Sequence, residues 1–324
     1  DAGDGAGVVG RVIVAEGSGL EAPHPLREVA HLHGAGVGDG DAGDGGGAGR
    51  LGESGAAALG AGLAAAGDRL ADQPDVSLWT TGESYKGSRF GMDWLNHLLR
   101  RYGAGHWCLT VDPDEFLVYP HVNTRPLRAL TDWLESSSYR AFPAMLLDMY
   151  PKGPITDQPY REGQDPFEIA AWFDPANYAI RKNRRFRNLW IQGGPRARVF
   201  FADRPHRAPT LNKLPLVRWR RGFAYVNSTH SMLPARMNDA WDGPGDPRLS
   251  GALLHTKFLP EIVAKSAIER TRRQHFRDPD AFDDYYAALS ANPDLWHPGA
   301  ARLAGWQSLV AAGLMGTGDW CPPW

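Results

Sequence analysis

From Trp79 onward the apolar positions follow two spacings. Phe90, Trp94, Leu95, Leu98 and Leu99 recur at steps of three and four, which predicts a helix over 89–102 closed by Gly103. A continuous apolar run at Trp107–Val111 predicts a buried strand, and Ala141–Met149 predicts another. Between them Leu127, Leu130, Trp133 and Leu134 repeat at helical spacing after Thr124, the expected cap. Strand, helix, strand in this rhythm points to a βαβ unit and a parallel or mixed sheet. Residues 151–180, rich in Pro, Gly and Asp, read as a long loop over one sheet face. Short strands are expected at Arg198–Phe201, Leu214–Trp219, Phe223–Asn227 and Ala252–His255. The chain should end in helices at Pro260–Phe276, Ala281–Leu289 and Ala301–Ala312. No internal repeat is present.

The first 78 residues have a different texture. They hold no aromatic residue and no lysine, and carry 12 acids against 4 arginines, a net of −8. The rest of the chain is +6, so the overall −2 is the sum of two unlike parts. Dense glycine raises the backbone entropy cost and small side chains return little burial. A low-complexity or disordered segment over 1–78 is therefore expected, followed by one domain over 79–324. Within it Val8–Ala15 could make one strand and Ala56–Leu70 one weak helix. The same composition also arises when a GC-rich gene is read in the wrong frame. Two cysteines, Cys108 and Cys321, are too few for a disulfide framework or a zinc site. No run reaches the roughly 18–20 apolar residues needed to span a bilayer, and Asp1-Ala-Gly-Asp4 is not a basic leader. The expected setting is cytoplasmic, with peripheral membrane contact allowed.

Chemistry concentrates where the Trp107–Val111 strand ends in Asp112, Asp114 and Glu115. Charges at a strand's carboxyl end face the crevice where open α/β sheets bind ligands. Two Asp spaced i, i+2 around a turn can share one hard divalent cation, which usually holds substrate phosphates on its other positions. Between Arg181 and Arg221 stand 13 Lys and Arg against one acid, Asp203, interleaved with Phe186, Trp190, Phe200 and Phe201. Such a mixture suits an anionic ligand or an acidic lipid surface. No nucleic-acid motif accompanies it, so a specific nucleic-acid partner is not expected.

Asp112-Pro-Asp-Glu-Phe116 at a strand end resembles the Asp-x-Asp motif of GT-A-fold glycosyltransferases, in particular the bacterial family 2-like branch. Leu253-Leu-His-Thr-Lys-Phe258, with Lys265, Ser266 and Glu269, is similar to that branch's C-terminal His-x-Lys region, and Asn212–Leu216 also looks like it. The resemblance covers about residues 79–320 and implies an α/β, GT-A-like mixed sheet flanked by helices, with a helical C-terminal region. It implies Mn²⁺ or Mg²⁺ on Asp112 and Asp114, with His255 as a further metal or diphosphate contact and Lys257 as a phosphate partner. Arg196 or Arg198 could clamp the diphosphate. The implied activity is metal-dependent, inverting glycosyl transfer from a nucleotide-sugar donor to a saccharide, lipid-linked or protein acceptor. Inverting transfer needs a general base, for which Asp148 is the first candidate and Asp165 and Asp174 the loop alternatives. His230 competes with His255. Residues 1–78 hold no match to the nucleotide-binding half that GT-A enzymes place before the motif.

Two other readings use the same residues. Haloacid-dehalogenase-type phosphotransferases also place Asp-x-Asp after an apolar strand, with the first Asp as nucleophile. Their pattern wants Thr or Val two residues past the second Asp, where this chain has Phe116. A non-enzymatic basic module would bind RNA or membrane through 181–221 with a steep salt dependence.

Overall fold

The computed structural model describes residues 10–16, 26–32, 76–81, 87–161, 163–272 and 283–320. In chain order the first strands are β1 (Gly10–Glu16), β2 (Leu26–Leu32) and β3 (Val76–Thr81). Helix α1 (Met92–Leu98) and a π-helical turn (Leu99–Gly103) lead into β4 (Trp107–Val111) and β5 (Glu115–Val118). Next come α2 (Leu127–Ser136), β6 (Ala141–Asp148), α3 (Pro166–Ile169), β7 (Trp172–Phe173), β8 (Ala179–Lys182) and β9 (Leu189–Gln192). The rest comprises β10 (Asn212–Arg218), β11 (Ala224–Tyr225), β12 (Met232–Leu233), β13 (Gly251–His255), α4 (Glu261–Arg272), α5 (Asp283–Ser290), β14 (Ala301–Arg302) and α6 (Trp306–Ala311).

Eight strands form one mixed sheet in the order β3-β1-β2-β4-β10-β6-β13-β5. The α/β expectation and the mixed sheet are therefore present. The strand–helix–strand unit differs in one respect. β4 and β6 run the same way but do not touch, because β10 is inserted between them, antiparallel to both. β13 lies parallel to β6, and β5 closes the edge antiparallel to β13. The carboxyl ends of β4, β6 and β13 thus lie at the same end of the sheet.

Proline shapes the centre. Pro143 in β6 and Pro215 in β10 lack the N–H that a central ladder needs. The register between the two strands shifts between Lys213 and Leu216, and Leu214 N–H bonds instead to the carbonyl of Thr229 at 2.8 Å. Helix α2 places Leu130 and Leu134 against Trp107, Phe142 and Leu216. Leu146, Leu147, Leu253 and Leu254 pack with Leu309, Leu314 and Met315 from the C-terminal region. Each such side chain, fully buried, contributes roughly 1.5–3 kcal/mol.

Most of the expected elements are found, with five corrections. Residues 151–180 are not one loop, because α3, β7 and the start of β8 fall within them. Arg198–Phe201 is not a strand, because Arg196–Phe200 form a single π-helical turn. Thr124 does not cap α2; its hydroxyl bonds back to His121 O at 3.3 Å, and the helix starts after Pro126. The expected strand Phe223–Asn227 shrinks to Ala224–Tyr225. Ala301 and Arg302 pair with β7, and α6 begins only after Gly305, whose φ of 106° breaks the helical run. Of the 1–78 segment, Gly10–Glu16 matches the expected strand and Leu26–Leu32 adds a second, parallel to β4. The weak helix at Ala56–Leu70 and the Gly-rich run lie outside the described residues. Among the described residues no helix is long and apolar enough to cross a membrane.

Candidate functional site at the strand ends

Three strand ends deliver the site. β4 ends in a tight turn over Asp112–Glu115, closed by Glu115 N–H to Asp112 O at 2.9 Å. The turn is pinned to β13 by Thr256 N–H donating to Asp114 O at 2.9 Å. β6 ends at Asp148 and β13 at His255, directly opposite each other in the parallel ladder.

The three acids of the turn have different fates. The Asp112 and Asp114 side chains are 31% and 43% exposed, whereas Glu115 is turned inward at 2%. Lys213 Nζ lies 2.8 Å from Glu115 Oε1 and 3.7 Å from Asp112 Oδ2. Burial pushes the Glu115 carboxyl up, and Lys213 and His255 offset only part of that. Burial pulls Lys213 down, but Glu115 and Asp112 outweigh it and hold the ammonium charged. Sequence reasoning missed Lys213. The signal was a lysine inside an otherwise apolar strand, which in a buried setting requires a carboxylate partner.

His255 bridges the other two carboxylates. Its Nδ1 is 2.7 Å from Asp148 Oδ1 and its Nε2 is 3.2 Å from Asp114 Oδ2. Burial alone would lower the imidazole, but Asp114 and Asp148 outweigh it and raise its pKa to about 9. Burial likewise opposes ionisation of Asp114, yet the charged His255 holds that carboxyl well below the usual range. Asp148 is 2% exposed, and its second oxygen accepts from Arg196 Nε at 2.6 Å. Arg196 and His255 overcome burial and leave its pKa at about 2. Both Asp148 oxygens are thus engaged.

Arg196 reaches this position through Gly193-Gly194-Pro195. A Cβ on Gly193 would sit 2.4 Å from the Tyr178 ring and 2.8 Å from Asn177 O, so only glycine lets the backbone pass so close. Arg196 is 6% exposed and its Nη2 is buried without a hydrogen-bond partner among the described residues. Lys257 is also in this group. Burial lowers its amine, Arg196 lowers it further, and Asp114, Asp148 and Asp112 pull it back up.

The remaining candidates lie elsewhere. Arg198 is held by Asp174, at 3.0 and 3.1 Å, and by Leu295 O at 2.7 Å. Asp174 also accepts from the Tyr150 hydroxyl and approaches His297 Nε2 at 3.2 Å, so it forms a centre of its own. Asp165 caps α3, accepting from Phe167 N–H at 2.9 Å. His230 Nδ1 donates to Asn212 O at 2.6 Å. Burial and the nearby Lys213 push its pKa down to about 3, so it is neutral. Asp112, Asp114, Asp148, Arg196, His255 and Lys257 are therefore brought together, while Arg198 is committed to another network.

Among the described residues, no three His, Cys, Asp or Glu side chains are gathered as a ready-made metal cage. No protein-family model, no curated protein and no solved structure matches this chain.

Proposed function

We propose that this chain transfers a glycosyl group from a nucleotide-sugar donor, with Mn²⁺ or Mg²⁺, to an acceptor hydroxyl. One observation carries the reading: a buried Arg196 with an unpartnered Nη2 is linked through Asp148 and His255 to Asp114, which with Asp112 stays partly exposed at the sheet's carboxyl end. A guanidinium with one N–H still unmet, together with carboxylates open to a cation, suits a metal-bound diphosphate. The donor set supports the same ion. Hard carboxylate oxygens from one short turn fit a cation that takes one or two protein ligands and completes its shell with phosphate and water. Such a cation, on Asp112 and Asp114, would neutralise charge developing on the departing nucleoside diphosphate.

The protein's own groups then have distinct tasks. Arg196 offers its free Nη2 to a phosphate oxygen while Nε stays on Asp148. Lys257 supplies a point charge. His255, protonated below pH about 9, adds a third positive group and orients Asp114; as a metal ligand it would first have to lose that proton. Asp148, with both oxygens taken and a low pKa, suits positioning His255 and Arg196 better than accepting a proton from the acceptor.

The test is thermal denaturation with a panel of nucleoside diphosphates, with and without Mn²⁺. At a ligand concentration of 100 Kd the stabilisation is about 2.7 kcal/mol. That raises Tm by roughly 5–10 °C for a domain of this size. The rise should require Mn²⁺ and vanish in Asp114→Asn. A panel in which no nucleoside diphosphate gives a metal-dependent shift overturns the reading.

A further inference from the structure

Four residues beyond Asp148, Lys152 sits in a corner made by two indoles. Its ammonium nitrogen is 4.6 Å from the Trp296 ring centroid and 5.9 Å from that of Trp172. The two rings are perpendicular, at 89°, with centroids 6.1 Å apart. Lys152 is exposed and both tryptophans are half-buried. No described carboxylate lies within 4.0 Å of the ammonium.

The corner is firmly built. The backbones of Tyr150 and Trp172 exchange hydrogen bonds of 2.9 and 3.1 Å, which continue the line of β6 past Asp148. Ile155 N–H bonds to Pro293 O at 3.3 Å and Thr156 N–H to Asn292 Oδ1 at 3.0 Å, so the Lys152 loop is tied to the Trp296 loop. Trp296 N–H is held by Asp294 at 2.8 Å. The neighbouring floor is the Asp174 centre, where Arg198 and His297 side chains remain 34% and 31% exposed. The Trp296 indole N–H is buried without a partner among the described residues, so the ring meets the corner with its face and not with its polar atom.

We propose that this corner is the acceptor subsite, and that it takes a pyranose chain carrying an anionic group, a carboxylate or a phosphate. The proposal rests on the transferase reading of the neighbouring site. Indole faces offer the flat apolar surface that suits the C–H face of a sugar. Lys152 adds what a neutral glycan does not need: an exposed cation held over aromatic faces with no described carboxylate neutralising it. Position agrees. Four residues of extended chain separate Lys152 from Asp148, at most about 14 Å, so one acceptor chain can lie on the tryptophans and reach the reacting end.

Calorimetry on the full chain tests it without nucleotide or metal. The probes are a hexuronate tetrasaccharide, a phosphorylated tetrasaccharide and a neutral hexose tetrasaccharide of equal length. One or both charged chains should bind, and the two arms tell carboxylate from phosphate. Lys152→Met keeps the aliphatic stem and should weaken the charged chain at least tenfold, with nucleotide–Mn²⁺ binding unchanged. Trp296→Leu should weaken all saccharide binding. If neither charged chain binds wild type, the proposal falls. It falls equally if the neutral chain binds as well as the charged ones, or if Lys152→Met has no effect. Saccharide binding without nucleotide binding overturns the donor reading and the acceptor role with it, leaving only a saccharide site; the reverse outcome overturns the subsite alone.

Discussion

Raising the pH from 6.5 to 9.5 should destabilise this protein through one residue, His255. Its imidazole is 6% exposed and hydrogen-bonded to Asp148 and Asp114 at 2.7 and 3.2 Å. Burial opposes its charge and the two carboxylates overcome it, taking the pKa from 6.5 to about 9. A base whose folded pKa exceeds its unfolded one stabilises fully below the unfolded value and loses that contribution as pH rises through the folded value. At about 1.4 kcal/mol per pKa unit, the contribution is roughly 3 kcal/mol. Asp148 has the opposite sign. Its pKa is depressed from 3.8 to about 2, so its contribution is present above pH 3.8 and lost as pH falls through about 2. The two shifts share the 2.7 Å hydrogen bond and describe one interaction seen from both ends, so they are not added. The assay is urea unfolding followed by circular dichroism at half-unit pH steps. Stability should be flat from about pH 4 to 6.5 as far as this pair decides it, then fall by roughly 3 kcal/mol towards pH 9. His255→Gln supplies the baseline, because Lys257, lowered by burial, titrates with the opposite sign. A wild-type curve parallel to that of His255→Gln across pH 6.5–9 would refute the reasoning.

Other perturbations follow from the same geometry. Asp148→Asn leaves Arg196 buried without its anion and should cost about 3–5 kcal/mol, read as a Tm drop of roughly 6–20 °C. It should also flatten the alkaline limb of the pH curve. Lys213→Met strands a buried Glu115 and should cost a similar about 3–5 kcal/mol, while Lys213→Met with Glu115→Leu should recover most of it in a double-mutant cycle on urea midpoints. Gly251→Ala places a Cβ 2.7 Å from the Phe142 ring and 2.8 Å from Val118 O, so unfolding should show a loss of about 1–3 kcal/mol. Leu130→Ala, at a fully buried position of α2, should cost about 2–5 kcal/mol by the same measurement.

Local pattern carried much of the architecture. Short apolar runs located β4, β6, β10 and β13 within a residue or two, because a buried strand leaves a continuous signal. The same signal failed at Arg198–Phe201, where the apolar run Val199-Phe200-Phe201 mimics a short buried strand. There the backbone turns as a helix, and Arg196 and Arg198 each meet a carboxylate from a different part of the chain. The candidate site was legible in the same partial way. Asp112 and Asp114 stood out as charges ending an apolar run, and His255 and Lys257 as polar residues closing another.

By itself, then, the sequence determined which residues could end a strand in charge, and where the chain changes from a glycine-rich, lysine-free stretch to a dense α/β region. The tertiary structure decided which charges meet. Inserting β10 between β4 and β6 brought Lys213 to Glu115 and Asp112, and so made one of three adjacent acids a buried structural group. The parallel pairing of β13 with β6 set His255 opposite Asp148, and Gly193 let Arg196 close on the same carboxylate. Hydrophobic periodicity reports which face of an element is buried. It carries no record of which distant strand lies alongside, and for a buried charge that neighbour decides whether the group is partner, positioner or binding site.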